Sequence, residues 1–77
     1  MKLAPNPARN QVTVILSKRP VKSINVSILD IMGRNVAAYQ LNEKSAIIPL
    51  SGMDAGIYLV RINGGFGEVV RKLVIEQ

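Results

Sequence analysis

The chain has 77 residues, with ten Lys and Arg against five Asp and Glu, no His and no Cys. This length holds one domain at most. Area scaling lets roughly 62% of the unfolded surface be buried, enough for a thin core and too little for a deep active-site cavity. Without Cys or His there is no disulfide staple, no Ser-His or Cys-His nucleophile pair, and neither thiolate nor imidazole to hold a metal. A hydrophobic share of 48% is too high for a disordered tail. The longest uncharged run is nine residues, Ser45 to Met53, which excludes a transmembrane helix. Met1-Lys2-Leu3-Ala4-Pro5 does not open like a signal peptide, so an exported protein would carry this chain as a piece of a longer precursor.

The hydrophobic period is two along the whole chain, the mark of half-buried antiparallel strands. A short stretch near Leu3 and Ala4 reads as a strand. Val12, Val14 and Leu16 alternate with polar neighbours and predict a strand over 11–16. Ile24, Val26 and Ile28 predict one over 22–30. Asp30-Ile31-Met32-Gly33 has Asp where a type I turn opens and Gly where a positive φ is wanted, and it leads into a strand over 35–41. Asn42-Glu43-Lys44-Ser45 reads as the next turn. A strand over 46–50 contains Pro49, which lacks a backbone donor, so this strand lies at an edge or ends there. Ser51 to Gly56 forms a longer corner. Tyr58, Val60 and Ile62 share one face of a strand over 56–62, and Asn63-Gly64, followed by Gly65-Phe66-Gly67, signals a hairpin into a last strand over 67–75. Six or seven short strands without a helix predict an all-β sandwich, because a single sheet would leave one apolar face wet.

Composition and motifs offer little chemistry. The basic residues fall singly or in small groups, and three aromatics make no stacking platform, so a nucleic-acid partner is not expected. Asp30 and Asp54 sit in turns, where a carboxylate bonds nearby amides. No acidic loop offers the roughly six or more oxygens that calcium takes, and no glycine-rich loop opens a helix, so neither metal nor cofactor nor catalytic residue is expected. Tyr58 is more telling. Met53 stands five positions before it across a glycine-containing corner, as in immunoglobulin-like and fibronectin-like sandwiches, where the Tyr hydroxyl ties back to upstream backbone. Ile57, Leu59 and Arg61 lie opposite the Tyr58 face, and in the last strand Val70, Lys72 and Val74 alternate with Arg71, Leu73 and Ile75, so the face turned from the core still carries apolar side chains. They form either an irregular edge or a partly apolar, basic-rimmed strip for a partner.

Four segments together resemble a known family. Pro5-Asn6-Pro7 is similar to its opening motif. Asp30-Ile31-Met32-Gly33-Arg34-Asn35-Val36 resembles its central motif. Leu50 to Ile62, with Gly56 and Tyr58 at its heart, resembles the third, and Lys72-Leu73-Val74-Ile75 the ending. Each is weak alone; their order and spacing, from Pro5 to Gln77, identify the chain as similar to the type A C-terminal sorting domain of the type nine secretion system, carried by cargo proteins of Bacteroidetes. Met53 stands where the family usually has Leu, and Glu76-Gln77 replaces the basic ending of many members.

The resemblance implies an immunoglobulin-like sandwich of about seven strands without catalytic activity. Residues 1–4 are then a linker remnant or an added start, and residues 5–77 the sorting domain. It also implies an upstream cargo domain in the same precursor, passage through the periplasm, and partners in the outer-membrane export machinery. Those partners include a shuttle protein and a sortase-like peptidase that cuts upstream of Pro5-Asn6-Pro7, leaving the cargo anchored at the cell surface or released. Exposed sheet edges allow a homodimer. The rival reading is an adhesive or spacer module, immunoglobulin-like or fibronectin-like, that binds protein or carbohydrate.

Overall fold

The computed structural model describes residues 1–65 and 67–76. Seven strands form: β1 (Lys2–Ala4), β2 (Gln11–Ile15), β3 (Ile24–Leu29), β4 (Asn35–Leu41), β5 (Ser45–Pro49), β6 (Gly56–Gly64) and β7 (Gly67–Ile75). They pair antiparallel into two sheets, ordered β1-β2-β5 and β4-β3-β6-β7. The fold is a small β-sandwich, and its strand order is compatible with an immunoglobulin-like arrangement.

The alternating residues face inward as their period requires. Val12 and Val14 of β2, Ile24, Val26 and Ile28 of β3, and Val60 and Ile62 of β6 are buried between the sheets with Ile48, Leu73 and Ile75. Burying a Val, Leu or Ile fully is worth roughly 1.5–3 kcal/mol, so these few contacts carry the domain. Among the described residues no polar side chain is buried, so no desolvation cost offsets them. Pro49 ends β5, an edge strand, and pairs with Gln11, where its missing N–H costs no ladder bond.

Strand ends shift by one or two residues, and three features differ from expectation. The β3 strand starts at Ile24 rather than at residue 22: Lys22 and Ser23 stay exposed and unpaired to the sheet, and the Ser23 hydroxyl donates to Asn42 Oδ1 instead. A register shift at Ile28/Leu29 is the site of a bulge. The hairpin does not turn at Asn63-Gly64. Asn63 pairs with Glu68 and Gly64 with Gly67, so both residues of the expected turn belong to the ladder; Phe66 lies outside the described residues. The reason is register. A turn at Asn63-Gly64 would keep the same side chains inward but push residues 72–75 beyond the end of β6. The observed slip pairs nine residues on each strand and places Leu73 opposite Tyr58 and Ile75 opposite Gly56. Turn propensity is local and modest; burial of two large apolar side chains outweighs it.

Candidate recognition site

Strand register brings four segments remote in sequence to one end of the sandwich. Gln11 pairs with Pro49, Leu29 with Leu59 and Gly56 with Ile75. The loop from Pro5 to Asn10, the turn from Asp30 to Arg34, the corner from Leu50 to Ala55 and the end of β7 therefore share a single rim.

Asn6 joins the first of these to the last. Its Nδ2 donates to the Lys72 carbonyl at 2.9 Å, and its Oδ1 accepts from the Val74 amide at 3.0 Å. Ala8, fully buried, continues the contact: its N–H donates to the Val74 carbonyl at 2.8 Å, and the Glu76 N–H donates to the Ala8 carbonyl at 2.7 Å. Since β7 is an edge strand, these backbone groups would otherwise face water or another chain. Among uncharged side chains an amide supplies both a donor and an acceptor in the plane that an exposed strand edge presents. Pro5 and Pro7 flank it with fixed φ and no N–H of their own to satisfy. Arg9 lies 4.0 Å from Glu76, an exposed pair of little weight.

Asp30 builds the second segment. Its Oδ1 accepts from the amides of Met32 and Arg34, both at 2.9 Å, and its carbonyl accepts from the Gly33 N–H at 3.0 Å. Gly33 has φ +85°, the left-handed conformation that the turn requires. Asp30 Oδ2 also accepts from Arg34 Nε at 2.9 Å, an ion pair on a side chain that remains 79% exposed. The Arg34 amide holds the Asp30 carboxyl below the ordinary carboxylate range, helped by the Arg34 guanidinium and the Met32 amide and opposed by partial desolvation.

The third segment closes the corner. Tyr58 Oη donates to the Asp54 carbonyl at 2.7 Å, the tie to upstream backbone that the sequence predicts. Asp54 itself departs from expectation. Its side chain is exposed and accepts no bond from the described residues; the acceptor in this corner is its backbone carbonyl, which takes the Tyr58 hydroxyl. In the fourth segment Leu73 and Ile75 enter the core, Val74 is half-buried, and the Lys72 side chain points to solvent. Gly56 opens β6 opposite Ile75.

Sequence reasoning marked the motif residues but not Ala8, and it missed the bonds between motifs. The bonds of Asn6 span 66 and 68 residues, and an Asn between two prolines signals an extended turn, not a partner at the other terminus. The Arg34–Asp30 pair was open to view, four residues apart.

The sequence matches the family described as the secretion system C-terminal sorting domain over residues 2–76. The chain belongs to this family. It is therefore a C-terminal sorting signal of type IX secretion, and a protein that bears it is exported through that system to the cell surface or outside. No curated protein sequence matches the chain. Among solved structures, the sorting domain is similar to part of PorZ of Porphyromonas gingivalis, an essential bacterial surface component of the type IX secretion system, with a TM-score of 0.79 at 18% identity, over 99% of this chain and 11% of that one. At that identity the likeness shows a shared fold.

Proposed function

We propose that the rim where the four motifs meet is the surface that the outer-membrane export machinery reads, and that the domain acts without catalysis or cofactor. The precursor, with its cargo upstream, crosses the periplasm; a shuttle protein engages the folded domain; and a sortase-like peptidase cuts on the amino-terminal side of Pro5-Asn6-Pro7. Residues 5–77 carry the recognised motifs, and the cut lies upstream of β1, which pairs with β2 in the folded body. The free edges of β4 and β5 can also template a second copy in a homodimer.

What supports this reading is the division of labour along the rim. Asn6, Gly33, Tyr58, Leu73 and Ile75 hold the fold, and their loss would affect export through stability. Arg34 is different. Its Nε is tied to Asp30, its side chain is largely exposed, and its Nη atoms have no partner among the described residues. The guanidinium is thus held in one orientation, ready for a carboxylate or carbonyl of a partner. Lys72 is the second exposed cation of the motifs.

The test is Arg34→Ala in a cargo fusion secreted by a bacterium with the type IX system. An exposed pair is worth about 0–1 kcal/mol, so the variant should melt close to the unmodified domain while its export falls. Equal melting with equal export would make Arg34 a solvated turn residue and remove it from the recognised surface.

A further inference from the structure

At the opposite end of the sandwich the sequence reads as scattered charge, and the structure gathers it. Lys2 pairs with Ile15 and Ile15 with Ser45, while Ile24 pairs with Leu41. Lys2, the loop over residues 17–23 and the turn over residues 42–44 therefore share one end. The Leu16 amide donates to the Lys44 carbonyl at 2.7 Å, which ties that loop to that turn. This end holds Lys2, Lys18, Arg19, Lys22 and Lys44 against Glu43, the carboxylate of the turn. Arg19 bonds Glu43 at 3.1 Å, which leaves four lysines uncompensated among the described residues. Nearby, Arg61 and Glu68 neutralise each other at 3.4 Å. The motif rim, with Arg9, Arg34 and Lys72 against Asp30, Asp54 and Glu76, carries no net charge. Four of the protein's five net charges thus lie at one end of a body with extents of 34 × 22 × 16 Å.

That end is also apolar where it projects. Val21, flanked by Pro20 and Lys22, is 100% exposed at the tip of its loop. Val21 lines a cleft of about 630 Å³ together with Leu16, Pro20, Ile24, Lys18 and Lys22. We propose that this end docks on an anionic lipid surface: the lysines meet phosphate headgroups, and Val21 enters the boundary between headgroups and acyl chains. The charge is complementary to such a surface, and each uncompensated cation there is worth about fivefold in partitioning. A protruding apolar tip ringed by cations is a shape that a fluid interface accommodates, whereas on a flat acidic protein patch the tip would hold the lysines off the surface. Docked this way, the domain presents the motif rim away from the membrane, so lipid contact and recognition use opposite ends. The inference does not depend on what reads the rim.

The experiment is co-sedimentation of the 77-residue domain with vesicles of phosphatidylcholine alone or mixed equally with phosphatidylglycerol. Binding is expected to the mixed vesicles, weakening strongly as salt is raised. Lys18→Ala with Lys22→Ala should lower it about 25-fold. Val21→Ser, at unchanged charge, should lower it roughly three- to tenfold. Arg9→Ala with Arg71→Ala removes the same charge elsewhere and should change binding less than about twofold. Thermal melts confirm that each variant is folded. No preference for the mixed vesicles would overturn the proposal, as would equal losses from the two double variants. An unaffected Val21→Ser would overturn it too, as would equal binding to polyglutamate or duplex DNA at the same salt, since either would leave only nonspecific charge.

Discussion

Asn6→Ala is the sharpest test of how the rim is assembled. The side chain makes two hydrogen bonds to β7, one as donor to Lys72 and one as acceptor from Val74. Each is worth about 0.5–1.5 kcal/mol net. The site is exposed, so water replaces part of the loss, and the expected cost is about 1–2 kcal/mol. In a domain of this size that lowers the melting temperature by roughly 4–16 °C. Amide hydrogen exchange locates the effect. The Val74 N–H has Asn6 as its acceptor at the free edge of β7, so its exchange should accelerate by at least about tenfold, beyond that of core amides such as Val60. Asn6→Asp divides the two bonds, because a carboxylate still accepts from Val74 but offers no donor to Lys72 and sets a negative charge against its carbonyl. It should be no more stable than Asn6→Ala at neutral pH. An unprotected Val74 amide in the unmodified domain, or one whose exchange ignores Asn6→Ala, would refute the link between the first and last motifs.

Other perturbations probe the remaining segments. Tyr58→Phe removes the bond to Asp54 and should cost about 0.5–1.5 kcal/mol; an unchanged denaturant midpoint would mean that the hydroxyl contributes nothing. A Cβ at Gly33 meets no neighbour within 4 Å, so the cost of Gly33→Val is set by the backbone conformation, about 1–2 kcal/mol at φ +85°, and a variant that unfolds at the same denaturant concentration would contradict the turn geometry. The lowered carboxyl pKa of Asp30 implies a contribution to stability that is complete above the ordinary carboxylate value, about 4, and lost as pH falls from there through the folded value. Asp30→Asn should accordingly flatten the acid limb of melting temperature against pH; parallel acid limbs would disprove the coupling.

The β2, β3 and β6 strands were legible because each has a single wet face. In β2, β3 and β6 the pairs Val12 and Val14, Val26 and Ile28, and Val60 and Ile62 carry the period without help from the rest of the chain. The Asp30 turn and the Tyr58 corner were legible for a similar reason, since donor and acceptor lie four residues apart. What needed the fold was long-range. The hairpin tip moved because Leu73 and Ile75 set the register from the far end of β7. The two bonds of Asn6 had no local signal. Lys2, Lys18, Lys22 and Lys44 looked dispersed along the sequence, and topology alone places them together. On the outer face, Ile57 and Leu59 of β6 and Val70 of β7 are exposed, with Lys72 beside Leu59.

The most direct test of the central claim is export itself. Residues 1–77 are fused behind a periplasmic reporter, with a linker between them, in a bacterium that has the type IX system and in a strain with that system disrupted. Residues 5–77 acting as a complete sorting signal predict reporter at the cell surface or in the medium in the first strain and periplasmic retention in the second. Retention in the first strain, with the fused domain shown by protease resistance to be folded there, would contradict it.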